Sequence, residues 1–232
     1  MKLSIITICK NESSSIAQTL DSVAHQSFDD FEHLIFDGGS TDGTQKILES
    51  HIHPRMKIYS ESDTGIYDGM NKGIKASCGE YLLFLNGGDF LAADDVLKMV
   101  ASGFDGTQII GCDIDHIGSG RKNSPSKLSM KFLIKDSPNH PATFIHRSCF
   151  DKLGPYDLLF RIAGDYDFFL RCKKADFSYK RMNILLTRFQ SGGISDNPAN
   201  FETIHQERKN SFIKNFGLFK WTALKVLDKW KL

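Results

Sequence analysis

Asp37, Asp63 and Asp89 each stand just past a short apolar run within the first ninety residues, and each has a glycine nearby. One such aspartate is a turn residue. Three at the carboxyl ends of buried strands line the rim where open α/β sheets take their ligands. A row of carboxylates repels phosphate unless a divalent cation intervenes, so the pattern points to a nucleotide bridged by Mg²⁺ or Mn²⁺. The usual phosphate cradles are missing. No G-x-G-x-x-G follows the first strand, and there is no Gly-Lys-Ser/Thr loop.

The central run is Tyr81-Leu82-Leu83-Phe84-Leu85, which stops at Asn86-Gly87-Gly88-Asp89. Five apolar residues are too few for a membrane span and read as a strand buried on both faces. The glycines let the backbone approach a ligand, with the Asp89 carboxylate over the same crevice. Three strand–helix units lead up to it. The strands are Leu3 to Ile8, Phe31 to Phe36 and Met56 to Ser60. The helices carry Ile16, Leu20 and Val23; then Asp42 to Ser50; then Ile66, Met70 and Ile74. Strand and helix in alternation predict a parallel, doubly wound α/β sheet.

Beyond it the pattern predicts a helix near Asp94 to Val100 and a strand near Gln108 to Asp113. The Gly-, Ser-, Lys- and Arg-rich stretch Ile117 to Lys127 reads as a mobile surface loop. A short helix at Ser148 to Leu153 follows. Gly164-Asp165 then opens a helix carrying Phe168, Phe169 and Cys172, where Asp165 has the place of an N-cap. A strand pair near Tyr179 to Phe189 leads into a flexible loop, Gln190 to Ser195.

With 232 residues the chain suffices for one large domain with a real core. A net charge of +1 gives no global pull toward nucleic acid, and no nucleic-acid partner is expected. Five scattered cysteines, none in a C-x-x-C pair, argue for free thiols in a reducing compartment and against a zinc site. The first ten residues read as strand and loop, not signal peptide, and no run approaches the roughly 20 apolar residues of a membrane span. A cytoplasmic protein is expected.

Five stretches, in order, resemble the family 2 glycosyltransferases of the GT-A fold over roughly residues 2–195. They are FDGGSTDGT, SESDTGIYDGMNKGI, GEYLLFLNGGD, HPATFIHRSCFDKLG and GDYDFFLR. The resemblance implies a nucleotide-sugar half at 1–115 and an acceptor half at 116–195. It implies inverting transfer from a nucleotide sugar, usually a UDP-sugar, to a hydroxyl of a saccharide acceptor, often lipid-linked, in cell-surface polysaccharide synthesis. On that pattern Asp37 and the loop Thr7 to Asn11 face the nucleobase and ribose. Asp63 and Asn71 lie beside the diphosphate, Asp89 holds the metal, and Asp165 is the catalytic base. Glu12, Asn86 and Gly87 complete the nucleotide-sugar set. Two departures stand out. Asp37-Gly38 replaces the pair of aspartates of many members, and the D-x-D motif keeps a single carboxylate, Asp89.

His140 is a candidate contact for diphosphate or acceptor, or else a satisfied structural histidine. Lys72 is either a phosphate contact or a solvated helix lysine. His51 and His53, two apart, do not share a helix face and make no metal pair. The tail, residues 196–232, lies outside the resemblance. From Phe201 onward it has seven Lys/Arg against three Asp/Glu, with Phe212, Phe216, Phe219, Trp221 and Trp230 interleaved. Two amphipathic helices hinged at Gly217 fit this, either docked on an anionic membrane's inner face or packed on the domain or a second subunit. A non-catalytic nucleotide-sugar-binding protein is the rival reading, favoured by the eroded D-x-D.

Overall fold

The computed structural model describes residues 1–189, 193–195 and 197–229, with side chains described up to 225. In chain order its elements begin β1 (Leu3–Cys9), α1 (Ile16–Ala24), β2 (Phe31–Asp37), α2 (Thr44–Ser50), β3 (Met56–Ser60), α3 (Ile66–Ala76) and β4 (Tyr81–Phe84). Then come β5 (Phe90–Leu91), α4 (Val96–Ala101), β6 (Ile109–His116), β7 (Gly120–Lys122), α5 (Met130–Leu133), β8 (Thr143–His146) and α6 (Arg147–Leu153). The chain ends with α7 (Gly164–Lys174), β9 (Tyr179–Phe189), α8 (Phe201–Phe216) and α9 (Leu218–Lys229).

The strands form one sheet in the order β3-β2-β1-β4-β8-β6-β9-β5, with β7 paired to β6. β3, β2, β1 and β4 are mutually parallel, and β8 is antiparallel to both β4 and β6. β6 therefore runs with β4, and β9 runs parallel to β6. All these long strands except β8 deliver their carboxyl ends to one edge. The loops bearing Asp37, Asp63 and Asp89 share that rim, as the strand pattern predicts.

Side-chain alternation divides the core between the two faces. Leu3, Ile5, Tyr81 and Leu83 pack with Val96, Leu97 and Val100 of α4. Ile6, Ile8, Leu82 and Phe84 pack on the other side with Met70 of α3, Phe150 of α6 and Phe168 and Phe169 of α7. The buried strands carry near-continuous apolar runs because helices cover both faces.

Three expectations change. The strand pair near Tyr179 to Phe189 is one eleven-residue strand, which bulges where it pairs with β6. The stretch Ile117 to Lys127, read as a mobile loop, contains a hairpin turn. There β7 returns on β6, and Arg121 and Lys122 are ion-paired to Asp113 and Asp136. The tail is not separate from the core. Its helices break at Gly217 (φ 84°) as expected, but Phe212 of α8 is fully buried among the α7 aromatics. Gln190 to Gly192, within the expected flexible loop, and Trp230 lie outside the described residues. Among the described residues no helix is long and apolar enough to cross a membrane.

Candidate active site

At the end of β2, Asp37 is buried and accepts hydrogen bonds from Ser40 N (3.1 Å), Gln45 Nε2 (2.9 Å), Ser60 Oγ (2.8 Å) and the Ser40 hydroxyl. Burial raises its pKa, but these donors hold it below the ordinary carboxylate range. A carboxylate has about four acceptor sites, and here all are used internally. Asp37 ties β2, the following loop and β3 together, so the expected nucleobase contact does not fall to its side chain.

Gly38 comes next, and a Cβ there would run into the Asp63 carboxylate. Where many relatives of this pattern carry a second aspartate, the space is taken by a carboxylate from the end of β3. Phe36, Gly38, Glu61, Asp63, Gly69 and Lys72 line a shallow surface recess here. Lys72 is tied to its wall, donating to Ser62 O (2.9 Å) and lying 3.4 Å from Glu61 and 3.6 Å from Asp68. It is neither a free phosphate contact nor an idle solvated lysine.

Two further expected contacts are also used inside the fold. Thr7 is fully buried with Oγ1 2.9 Å from His33 Nε2, beneath the rim. Asn71 donates Nδ2 to Tyr156 O and accepts from Tyr156 N, both at 2.9 Å, clasping α3 to the segment after α6. Both side chains are thus bonded within the fold. Asn11, in contrast, stays exposed at the rim with φ 57°, where its Oδ1 accepts from Thr41 N (2.9 Å).

The end of β4 is the opposite case. Asp89 is only 4% exposed. Burial, aided by the Glu12 charge, pushes its carboxyl up to about 7 against the opposing pull of His140. Glu12 receives the Ser15 hydroxyl (2.6 Å) and lies against Gly87, its Cγ 3.0 Å from where a Cβ would stand. Asn86 Oδ1 is buried with no hydrogen-bond donor. A crowded carboxylate beside an orphaned amide oxygen is a donor set that suits a hard divalent cation. Among the described residues no cluster of three or more His, Cys, Asp or Glu could hold a metal. Asp89 and Asn86 would therefore share the ion with diphosphate oxygens and water.

A stability consequence follows. The folded state raises the Asp89 pKa from 3.8 to about 7, so between those values it holds a proton that the unfolded chain releases. This group's contribution to stability therefore falls as pH rises from about 4 to about 7. Asp89→Asn should remove that slope and raise the melting temperature at pH 7.5, by up to about 4 kcal/mol of stability. Thermal melts of both proteins at pH 5 and 7.5 check this. A variant no more stable than wild type at pH 7.5 would show that Asp89 is not strained there.

From Asn86 a polar line crosses to the start of α7. Asn86 Nδ2 lies 3.0 Å from His140 Nε2, and His140 Nδ1 lies 3.7 Å from Asp165 Oδ2. With the Asn86 amide donating, the ring proton sits on Nδ1 and faces Asp165. His140 sits in a single 3₁₀ turn leading into β8. Burial lowers its pKa, but the Asp165 and Asp89 carboxylates raise it on balance. Asp165 is not an N-cap. That position belongs to Ala163, and no side chain caps the helix. The Asp165 carboxylate, 19% exposed, instead meets His140 and the Tyr67 hydroxyl (3.1 Å). Burial raises its pKa, and the nearby His140, with Tyr67, brings it below the ordinary range. Gly164 makes the arrangement possible, since a Cβ would come within 2.8 Å of the Tyr67 ring.

Glu207 of α8 escaped the sequence reading. Its carboxylate accepts from the backbone N–H of Arg161 (2.8 Å), Ile162 (2.9 Å) and Ala163 (2.9 Å), the three residues before α7. Ile162 O in turn accepts from the Tyr67 hydroxyl (2.6 Å). Ser211 Oγ and Asn215 Nδ2, one and two turns beyond Glu207, donate to the buried Asp167 at 2.7 and 3.1 Å. Polar residues at a spacing of four form one helix stripe, which was the available signal. These bonds hold Asp165 at a fixed place.

The family model described as Glycosyl transferase family 2 matches residues 4–156. A PGL/p-HBAD biosynthesis glycosyltransferase of Mycobacterium bovis (strain BCG / Pasteur 1173P2) is 34% identical over 203 residues, 83% of this chain and 78% of the relative. Among solved structures, S. aureus TarS 1–349 in complex with UDP-GlcNAc has a TM-score of 0.75 at 18% identity, covering 93% of this chain and 68% of that one. A mannosyltransferase from Pyrobaculum calidifontis in complex with GDP-Man and Mn²⁺ has a TM-score of 0.67 at 14% identity, covering 100% of this chain and 76% of its own. At such identities the structural likeness speaks for the fold, and the sequence matches speak for the family. The chain belongs to glycosyl transferase family 2 and is a glycosyltransferase with the GT-A fold.

Proposed function

We propose that the chain transfers a sugar from a UDP-sugar to a hydroxyl of a saccharide acceptor, with inversion at the anomeric carbon and Asp165 as base. The observation that carries this reading is the line Asn86–His140–Asp165, which joins the cation-suited end of β4 to a carboxylate at the start of α7. The nucleobase takes the recess beside Phe36, Gly38 and Asp63, and the diphosphate lies against Asn86, Gly87 and Asp89. Mg²⁺ or Mn²⁺ held by Asp89 and Asn86 Oδ1 would neutralise the charge that grows on the departing diphosphate.

A sugar hydroxyl is a poor nucleophile and needs a carboxylate in hydrogen-bond reach to take its proton as it attacks. Asp165 has a lowered pKa and is ionised before the acceptor arrives. The acceptor oxygen bonds to the anomeric carbon as the bond to the diphosphate oxygen breaks on the opposite face, and the proton passes to Asp165. His140 Nδ1–H and the Tyr67 hydroxyl orient that carboxylate. A lipid-linked saccharide is the acceptor class proposed.

Thermal unfolding with UDP-, GDP- and dTDP-sugars, with and without Mn²⁺, tests the donor reading. A ligand at 100 times its Kd stabilises by about 2.7 kcal/mol. A UDP-sugar with Mn²⁺ should give the largest rise in melting temperature. If no nucleotide sugar moves it, the donor assignment is wrong.

A further inference from the structure

Two pairs of large apolar side chains stand in solvent: Leu158 (57% exposed) with Leu159 (87%), and Leu218 (59%) with Phe219 (88%). They are 60 residues apart in sequence, and the segments that carry them are joined by one ion pair, Lys214 Nζ to Asp157 Oδ2 at 2.7 Å. The same ammonium lies 5.4 Å from the centre of the Phe160 ring. Leu158 and Leu159 are the two residues between Asp157 and Phe160. Leu218 and Phe219 begin α9, just past the Gly217 break that follows Lys214 and Phe216. The two pairs thus stand next to a single corner of the backbone, where the segment before α7 is tied to the end of α8.

The inner faces of these helices are already covered. Phe212 is fully buried, and Phe216, Trp221 and Leu224 pack against the same core. The exposed quartet is surplus to the fold. Its surroundings are basic: Ser211 to Lys225 contains Lys214, Lys220 and Lys225 and no Asp or Glu. Lys220 and Lys225 lie over the Phe216 and Trp221 rings, 4.9 and 5.0 Å from their centres. Asp157, the nearby acid, is already matched by Lys214.

We infer that this corner docks on an anionic lipid bilayer, with Leu158, Leu159, Leu218 and Phe219 entering the headgroup boundary and the lysines facing lipid phosphates. Charge decides against a second copy of the chain as occupant. In a two-fold contact the patch meets itself, bringing lysines against lysines, with Asp157 already paired to Lys214. The corner is also rigidly joined to the proposed base. Five residues separate Leu159 from Asp165, and Glu207 of α8 holds three N–H groups between them. Docking here would present the Asp165 side of the cleft to an acceptor anchored in the membrane. That last step rests on the transfer reading, and the docking does not.

The test is co-sedimentation of the full chain with vesicles of phosphatidylcholine alone and of phosphatidylcholine mixed with phosphatidylglycerol. Wild type should bind the anionic vesicles, leave the neutral ones, and dissociate as salt rises. Leu159→Glu with Phe219→Glu should lower anionic partitioning at least tenfold while UDP binding and melting temperature stay at wild-type values. If that variant melts early, Leu159→Ser with Phe219→Ser supplies the same comparison without added charge. Wild type that ignores anionic vesicles, or variants that bind them as tightly as wild type, would overturn the docking. So would light scattering that shows a wild-type dimer, indifferent to vesicles, split by the same substitutions. UDP binding is read separately, so failure of the lipid arm leaves the donor reading intact, and the reverse.

Discussion

Asp165→Asn should leave a folded protein that binds donor normally and turns it over roughly 10²–10⁴-fold more slowly. The amide can still face His140 Nδ1 and the Tyr67 hydroxyl, so the corner formed by α7 and the end of β4 keeps its shape. It cannot take the acceptor's proton. Donor binding is expected to survive because the proposed nucleotide contacts lie on the loops after β1 to β4. A pH dependence accompanies this. The folded pKa of Asp165 is below the unfolded one, so its contribution to stability is present above about 4 and is lost as pH falls through the lowered folded value. Nucleoside diphosphate release gives the turnover, and titration calorimetry with the donor gives the affinity. A variant that turns over at the wild-type rate would take Asp165 out of the mechanism.

The second large effect concerns α8. A chain ending after Asn200 should fail to fold, and Phe212→Ala in the full chain should cost about 3–5 kcal/mol. Phe212 is fully buried in the cluster that holds Phe168 and Phe169 of α7. Cutting α8 away also strips Ser211 and Asn215 from the buried Asp167, leaving Arg171 as its remaining partner (2.8 Å). Three backbone N–H groups before Asp165 lose their Glu207 acceptor as well. Against a total stability of roughly 5–15 kcal/mol, these losses together are not survivable. For Phe212→Ala the melting temperature should fall by about 10 °C. A soluble truncated chain with the wild-type melting temperature would show that α8 is an appendage after all.

The rim was legible in the sequence because apolar runs ending at Asp37, Asp63 and Asp89 can only be buried parallel strands with their ends aligned. Which of those carboxylates stays free was not legible. Asp37 is consumed by Ser40, Gln45 and Ser60, whose side chains converge only after β2, α2 and β3 have packed. Asn71 is withdrawn by a backbone 85 residues away. In the same way, an amphipathic pattern tells which residues of α8 seek cover but not what covers them. Phe212 suits a lipid surface as well as the α7 aromatics, and packing chose the latter. The Asp165–His140 contact joins a helix start to a 3₁₀ turn, two elements whose approach no local spacing encodes.

A crystal structure of the full chain with UDP and Mn²⁺ tests the central claim most directly. The expected map has the metal between the Asp89 carboxylate and the diphosphate, with Asn86 Oδ1 beside it, the uracil in the recess by Phe36 and Asp63, and Asp165 facing the acceptor side of the diphosphate. A nucleotide bound away from the end of β4, or an ion held without Asp89, would contradict it.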